Sequence, residues 1–166
     1  MLDAVTLRKS IELAVTTEEL GAGFYRTLSE RFKEIAELNE LFSILAKDEV
    51  THEGQFRSLL ANVPPEPEAE QPDTRYQYLA AASISEFFMG DKGAFKDVDR
   101  IKKKDDALLR AFSFEKATLL YYHAIADIWG QNRLLQEIIE AEKGHLVGVM
   151  KYLITDAKMR GLADNW

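Results

Sequence analysis

The chain has 166 residues, of which 46% are hydrophobic and 30% are charged. This balance is typical of one folded domain, here expected to span residues 1–166, and excludes a disordered chain. The formal net charge is −7 and there is no cysteine. An acidic chain has no general electrostatic reason to bind nucleic acid or an anionic membrane, and the lack of thiols excludes disulfides, thiol catalysis and cysteine-ligated iron–sulfur clusters.

Four long amphipathic helices are predicted in chain order. Apolar residues recur at helical spacing over residues 4–33, 36–61, 104–129 and 131–158. All four prolines lie between positions 64 and 72, so the segment 62–73 is expected to be a loop. A shorter helix is predicted at 75–89, followed by turns at 91–100.

The lengths of the connections predict how the helices pack. Short joints after the first and third long helices make two antiparallel hairpins, and a crossover of about 40 residues lets the second hairpin dock beside the first. Long amphipathic helices bury their apolar stripes best against one another. The sequence therefore predicts an all-α fold, a four-helix bundle of two hairpins joined by a long crossover that contains a short extra helix.

Two identical motifs interrupt the inward stripes of the second and fourth long helices. Glu49 and His52 form one Glu-x-x-His motif, and Glu142 and His145 form the other. Residues three apart lie on one face of a helix, so each pair can direct both side chains towards one point. A single motif of this kind is weak evidence, but both occur at core-facing positions of matching helices.

The first and third long helices each add a single inward carboxylate. Glu18 is followed seven residues later by Tyr25, and Glu115 is followed seven residues later by Tyr122. Seven residues are about two helical turns, so each carboxylate shares a face with a phenol. The neighbouring Glu19 is an alternative to Glu18, because the choice depends on helix register.

Together these residues predict a dinuclear metal centre. Four carboxylates and two imidazoles are the ligand set of di-iron and di-manganese bundles. Four buried carboxylates without cations would be costly, whereas two divalent cations neutralise them. This donor set suits iron or manganese better than copper, and zinc is a possible substitute. Tyr25 and Tyr122 are expected to hydrogen-bond ligand carboxylates from the opposite hairpin.

The same residues admit other interpretations. The cluster could be a structural set of buried ion pairs, and the tyrosines could be core aromatics. His52 and Glu53 begin a His-Glu-x-x-His metalloprotease motif, but residue 56 is Phe, so that interpretation fails. His123 has no glutamate three residues before it and is expected to lie in the core or beside the ligands.

These residues resemble the rubrerythrin branch of the ferritin-like superfamily. The strongest local similarities are at residues 18–25, 48–52, 114–122 and 142–145. The resemblance implies a ferritin-like fold and a di-iron oxidoreductase that reduces hydrogen peroxide or dioxygen. The six residues expected to hold the two ions are Glu18, Glu49, His52, Glu115, Glu142 and His145. Bacterioferritins have a haem-ligating methionine where this chain has Val50, so haem is not implied.

Two departures from that family bear on the reaction. Rubrerythrins carry a rubredoxin domain with four cysteines, and this chain has no cysteine, so an external electron-transfer protein is expected to supply electrons. Rubrerythrins also tend to place an extra glutamate where this chain has Thr118. Alternatives are a ferroxidase, an iron-storage or iron-sensing protein, and a non-catalytic metal-binding bundle. The resemblance further implies a homodimer.

The sequence also predicts the compartment. The longest stretches without a formal charge, 76–85 and 117–126, are ten residues each, whereas roughly 18 apolar residues are needed to span a membrane. The first residues are charged and lack the apolar core of a signal peptide. We therefore expect no membrane span and a cytoplasmic protein.

Overall fold

The chain folds as four long helices in a computed structural model, which describes residues 6–63, 78, 95, 97–130 and 132–163, with side chains to residue 155 in the last helix. The helices are α1 (Leu7–Arg31), α2 (Ala36–Asn62), α3 (Lys104–Trp129) and α4 (Arg133–Ala163). The described residues contain no strand, and one turn of 3₁₀ helix spans Val98–Arg100. The all-α prediction is confirmed. The helix predicted at 75–89 lies outside the described residues except for Tyr78.

Local polar residues fix the ends of these helices. Thr6 precedes α1 and its hydroxyl accepts a hydrogen bond from the backbone N–H of Lys9, which satisfies one of the free donors of the first turn. Gly130 ends α3 with a φ of 79°, a left-handed conformation that glycine adopts without a steric penalty. Asn132 then caps α4, since its Oδ1 accepts from the N–H of Leu135 at 3.0 Å.

The helices pair as two antiparallel hairpins. α1 packs along α2 and α3 packs along α4, while α1 also contacts α3 and α2 contacts α4. The joint of the first hairpin is tied by Asn39, whose Nδ2 donates to the carbonyl of Ser29 at 2.9 Å. The hydroxyls of Ser29 and Ser43 lie 2.7 Å apart farther along the same hairpin. Each helix therefore has two neighbours, as in the ferritin-like four-helix bundle that the sequence predicts.

Two apolar clusters fill the interior, one at each end of the bundle. The first includes Phe24, Leu28, Phe42, Leu108 and Phe114. The second includes Ile11, Phe56, Tyr121, Ile125 and Ile138. Along α1, α2 and α4 the predicted polar residues fall between the segments that belong to these two clusters, and on α3 Glu115 lies at the end of the first cluster that adjoins the second. The packing therefore places them in the middle of the bundle, away from water.

Tyr121 links the two hairpins inside the second cluster. Its side chain is fully buried, and its hydroxyl donates to the backbone carbonyl of Ser10 at 2.6 Å. Tyr121→Phe is expected to lower the free energy of unfolding by about 1 kcal/mol, because a buried hydrogen bond is lost without a change of shape. The measurement is urea denaturation. Tyr152→Phe is the control, since Tyr152 donates to Glu37 through a long, exposed contact of 3.4 Å. Equal effects of the two substitutions would contradict this account.

Candidate metal centre

The structure brings all six predicted donor residues together in the middle of the bundle. The four carboxylate side chains are fully buried, and the two histidines are 4% and 7% exposed. These residues are Glu18 on α1, Glu49 and His52 on α2, Glu115 on α3, and Glu142 and His145 on α4. Each of the four helices thus contributes at least one carboxylate to a single buried site.

Helix rotation explains which acidic residues enter the site. Glu18 follows the buried Ala14 by one turn and is itself fully buried, whereas Glu19 is exposed. On α2 the pair Glu49 and His52 continues the buried face that includes Leu45. Of the two alternatives on α1, the structure therefore places Glu18, and not Glu19, in the interior.

The two imidazoles stack against each other among the carboxylates. Nδ1 of His52 lies 2.7 Å from Oε1 of Glu142 and 3.6 Å from Oε2 of Glu18. Nδ1 of His145 lies 3.4 Å from both Oε1 of Glu49 and Oε2 of Glu115. The ring centroids are 5.3 Å apart. Glu49, His52, Glu142 and His145 each offer a donor atom within 4.8 Å of the others.

The donor atoms converge without satisfying one another. Among the described residues, the buried side-chain nitrogen and oxygen atoms that lack a hydrogen bond all belong to this site, apart from Oε1 of Gln55. They include both oxygens of Glu49 and Nδ1 of each histidine. Nδ1 of His52 lies close to Glu142, yet the pair lacks hydrogen-bond alignment. Buried polar atoms are normally paired, so lone pairs aimed at a shared space fit bound cations.

The pKa values of the buried glutamates also indicate that the site requires positive charge. Burial, followed by the negative charges of Glu18 and Glu142, raises the pKa of Glu49 well above its ordinary value. Burial and the charge of Glu142 raise the pKa of Glu115 to about 8. Burial alone would raise the pKa of Glu142, but His145 and His52 lower it to about 2. The carboxylates therefore repel one another in the metal-free protein, and cations would relieve that repulsion.

The pKa values of the two histidines are also raised, but by the neighbouring negative charges and not by burial. Burial alone would lower the pKa of His52, but the carboxylates of Glu142 and Glu18 raise it to about 9. The pKa of His145 is also raised, because the carboxylates of Glu115, Glu142 and Glu49 outweigh its burial. Without metal, protons on the imidazoles supply part of the positive charge that the site requires.

Two tyrosines cross between the hairpins to hold carboxylates. The hydroxyl of Tyr25 on α1 donates to Oε1 of Glu115 on α3, and the hydroxyl of Tyr122 on α3 donates to Oε1 of Glu18 on α1. Burial and the adjacent carboxylate charge raise both tyrosine pKa values well above the ordinary value, so the phenols stay protonated donors. In each carboxylate the second oxygen, Oε2, remains unpaired and faces the site.

Three further residues adjoin the site: Asp48 and Gly21, for which the sequence predicted no role, and Thr118, which the resemblance placed where rubrerythrins tend to have an extra glutamate. The hydroxyl of Thr118 lies 3.3 Å from Oε2 of Glu142. Asp48 lies 3.2 Å from Nε2 of His145. Gly21 faces the carboxylate of Glu49 so closely that a side chain would collide with it. Thr118 and Gly21 are each three residues after a single inward glutamate, and this spacing is the signal that could have identified them.

His123 corrects one expectation. The side chain is exposed and lies outside both the core and the site, because one residue along a helix turns the side chain about 100° away from the buried Tyr122. Phe56 is fully buried and packs against Tyr122 with ring centroids 4.7 Å apart. The position that a metalloprotease histidine would need is therefore filled by a core aromatic.

Comparison with known proteins agrees with this geometry. A family model described as Rubrerythrin matches residues 9–90, which include Glu18, Glu49 and His52. Glu115, Glu142 and His145 lie beyond the matched residues, and the packing of α3 and α4 brings them to the same site. Comparisons with curated proteins and with solved structures found no match. None of the described helices has the length and apolar character needed to cross a membrane. The chain is thus a rubrerythrin-like protein that carries a buried Glu/His cluster of the di-iron carboxylate kind.

Proposed function

We propose that the chain is a di-iron oxidoreductase that reduces hydrogen peroxide or dioxygen. One observation carries the proposal: unpaired carboxylate oxygens and imidazole nitrogens from all four helices converge in a space that they do not satisfy. A structural network of ion pairs would instead align its donors and acceptors. The rubrerythrin-family match over the first hairpin supports the same class of centre.

These contacts support a centre with two metal positions. Glu18 and His52 would flank one position, and Glu115 and His145 would flank the other. Glu142 contacts both imidazoles, and Glu49 lies among the same donor atoms. These six residues would hold two iron ions, with manganese or zinc as substitutes. Bound iron would supply the electrons and the Lewis acidity for reduction of the oxidant.

The surrounding residues prepare this site. Tyr25 and Tyr122 fix the outer oxygen of Glu115 and of Glu18, so that the inner oxygens keep their direction. The apolar clusters on both sides exclude water, which strengthens electrostatic interactions inside the site. Because the chain has no cysteine, we propose that an external electron-transfer protein returns electrons after each turnover.

Stopped-flow mixing tests the proposal. Protein loaded with Fe²⁺ under anaerobic conditions is expected to develop near-ultraviolet absorbance of ferric product when mixed with hydrogen peroxide. Glu18→Gln is expected to slow this change at least about tenfold, since it replaces a buried anionic ligand with a neutral, weaker one at one metal position. Glu19→Gln changes the adjacent exposed residue and is expected to react like the wild type. No absorbance change in the wild type, or equal rates for the two variants, would refute the proposal.

Ferroxidase or iron-handling activity is a second candidate, favoured by one observation. Thr118 is fully buried, and its hydroxyl contacts the backbone of its own helix and Glu142, where rubrerythrins tend to supply an extra carboxylate. With threonine in that place, the site has four carboxylate donors instead of five. A separate metal analysis distinguishes the two candidates. After repeated additions of Fe²⁺ and dioxygen, retention of more iron per chain than the centre can hold would favour this candidate over peroxide reduction.

A further inference from the structure

Asp48 contacts the metal centre from its outer side. It precedes Glu49 on α2 and 46% of its side chain is exposed, whereas 7% of the His145 side chain is exposed. Oδ2 of Asp48 lies 3.2 Å from Nε2 of His145. The other nitrogen of the same ring, Nδ1, faces Glu49 and Glu115. One ring nitrogen of His145 is therefore held by Asp48, while the other faces the site without a hydrogen bond.

This contact selects one tautomer of His145. A neutral imidazole carries one proton, and the hydrogen-bond acceptor beside one nitrogen decides which nitrogen keeps it. Asp48 accepts from Nε2–H, which leaves the lone pair of Nδ1 facing the site. A metal-ligating nitrogen needs this arrangement, and a carboxylate partner also makes the imidazole a stronger ligand.

Among the described residues, His52 has no equivalent partner. The residue that precedes Glu142 in the second motif is Ala141, so the position that corresponds to Asp48 offers no acceptor. Nδ1 of His52 faces Glu142 and Glu18, and in the described part of the chain no carboxylate is paired with its Nε2. Within the described ranges, the ring of His52 therefore lacks an outer hydrogen bond like the one that joins His145 to Asp48.

We propose that Asp48 is a positioning residue for His145 and that it makes the two metal positions unequal, with tighter binding at the position flanked by Glu115 and His145. This inference rests on the proposed metal centre and concerns how that centre distributes affinity between two ions. Loss of an outer hydrogen-bond partner from a metal-ligating histidine weakens metal affinity about 10- to 100-fold. The position beside His145 therefore fills first.

Titration of the metal-free protein with Co²⁺, followed by visible absorption and calorimetry, tests this inference. The wild type is expected to bind in two resolved steps. Asp48→Ala is expected to weaken the first step about 10- to 100-fold and to leave the second unchanged. Asp48→Asn removes the charge but keeps a side-chain oxygen that can accept from Nε2–H, so it is expected to retain two steps.

The reciprocal substitution gives an independent measurement. Ala141→Asp places a carboxylate at the corresponding position of the second motif and is expected to tighten the second step. If Asp48→Ala does not fold, this variant decides alone, and an unchanged second step overturns the inference. Three other outcomes also overturn the inference. They are unchanged metal affinities in Asp48→Ala, a single binding step in the wild type, and equal losses of affinity in Asp48→Asn and Asp48→Ala. Absence of any Co²⁺ binding to the wild type overturns the proposed centre instead.

Discussion

Gly21→Ala is expected to lower the free energy of unfolding by about 1–3 kcal/mol and to displace a donor of the metal centre. A β-carbon at position 21 would lie 2.6 Å from Oε2 of Glu49 and 2.7 Å from Cζ of Phe114. The carboxylate could swing away, but the ring is fully buried in the first apolar cluster and cannot move without opening well-packed neighbours. Both stability and metal affinity are therefore expected to fall.

Gly23→Ala is the matched control on the same helix. Nothing lies within 4 Å of a β-carbon built at position 23, so alanine meets open space there. Alanine in a helix interior is more stable than glycine by about 0.5–1 kcal/mol. Urea denaturation should therefore show opposite signs for Gly21→Ala and Gly23→Ala. Equal stabilisation by both substitutions would show that the close approach of Glu49 and Phe114 to Gly21 does not constrain the fold.

Glu49→Gln is expected to stabilise the metal-free protein and to abolish its stabilisation by metal. Both oxygens of Glu49 are buried without a hydrogen bond, and the charges of Glu18 and Glu142 oppose its ionisation. Because the pKa of Glu49 is raised on folding, the native state disfavours its ionised form, so a neutral glutamine is expected to raise the free energy of unfolding of the metal-free protein, by a gain that grows as the pH rises above the ordinary pKa of glutamate. A substitution that stabilises the protein but impairs function is typical of a residue that is kept for ligand binding and not for stability.

Calorimetry with and without Mn²⁺ measures both halves of this prediction. At a free metal concentration about 100-fold above the dissociation constant, one bound ion adds about 2.7 kcal/mol to the wild type. For a chain of this size that gain raises Tm by about 5–10 °C. Glu40→Gln, which changes an exposed residue of the same helix, should keep the full gain. An undiminished gain in Glu49→Gln would remove Glu49 from the metal centre.

The sequence predicts the helices and the convergence of the site well, because both depend on local periodicity. The predicted bounds of α3 coincide with Lys104–Trp129, since Gly130 marks the joint in the sequence itself. The buried position of Glu18 follows from a helical stripe, and the neighbouring Glu19 differs from it only by rotation. Such features need no knowledge of distant parts of the chain.

The remaining features depend on how separate helices approach each other. The contact between Asp48 and His145 joins residues 97 positions apart, and no periodicity on α2 distinguishes Asp48 from other half-exposed acids. The position of His123 could not be predicted for a similar reason, since a histidine on a largely apolar helix can face either the core or water. The crossover beyond residue 63 was predicted from composition, and most of it lies outside the described residues.

The reciprocal reach of the two phenols makes the halves of this protein interdependent. Tyr25 of the first hairpin completes the surroundings of Glu115 in the second, and Tyr122 of the second completes those of Glu18 in the first. Neither hairpin alone contains the complete set of metal-binding groups, so metal binds only after the two hairpins have docked. Bound metal would therefore stabilise the docked state and make the two hairpins fold and unfold as one cooperative unit.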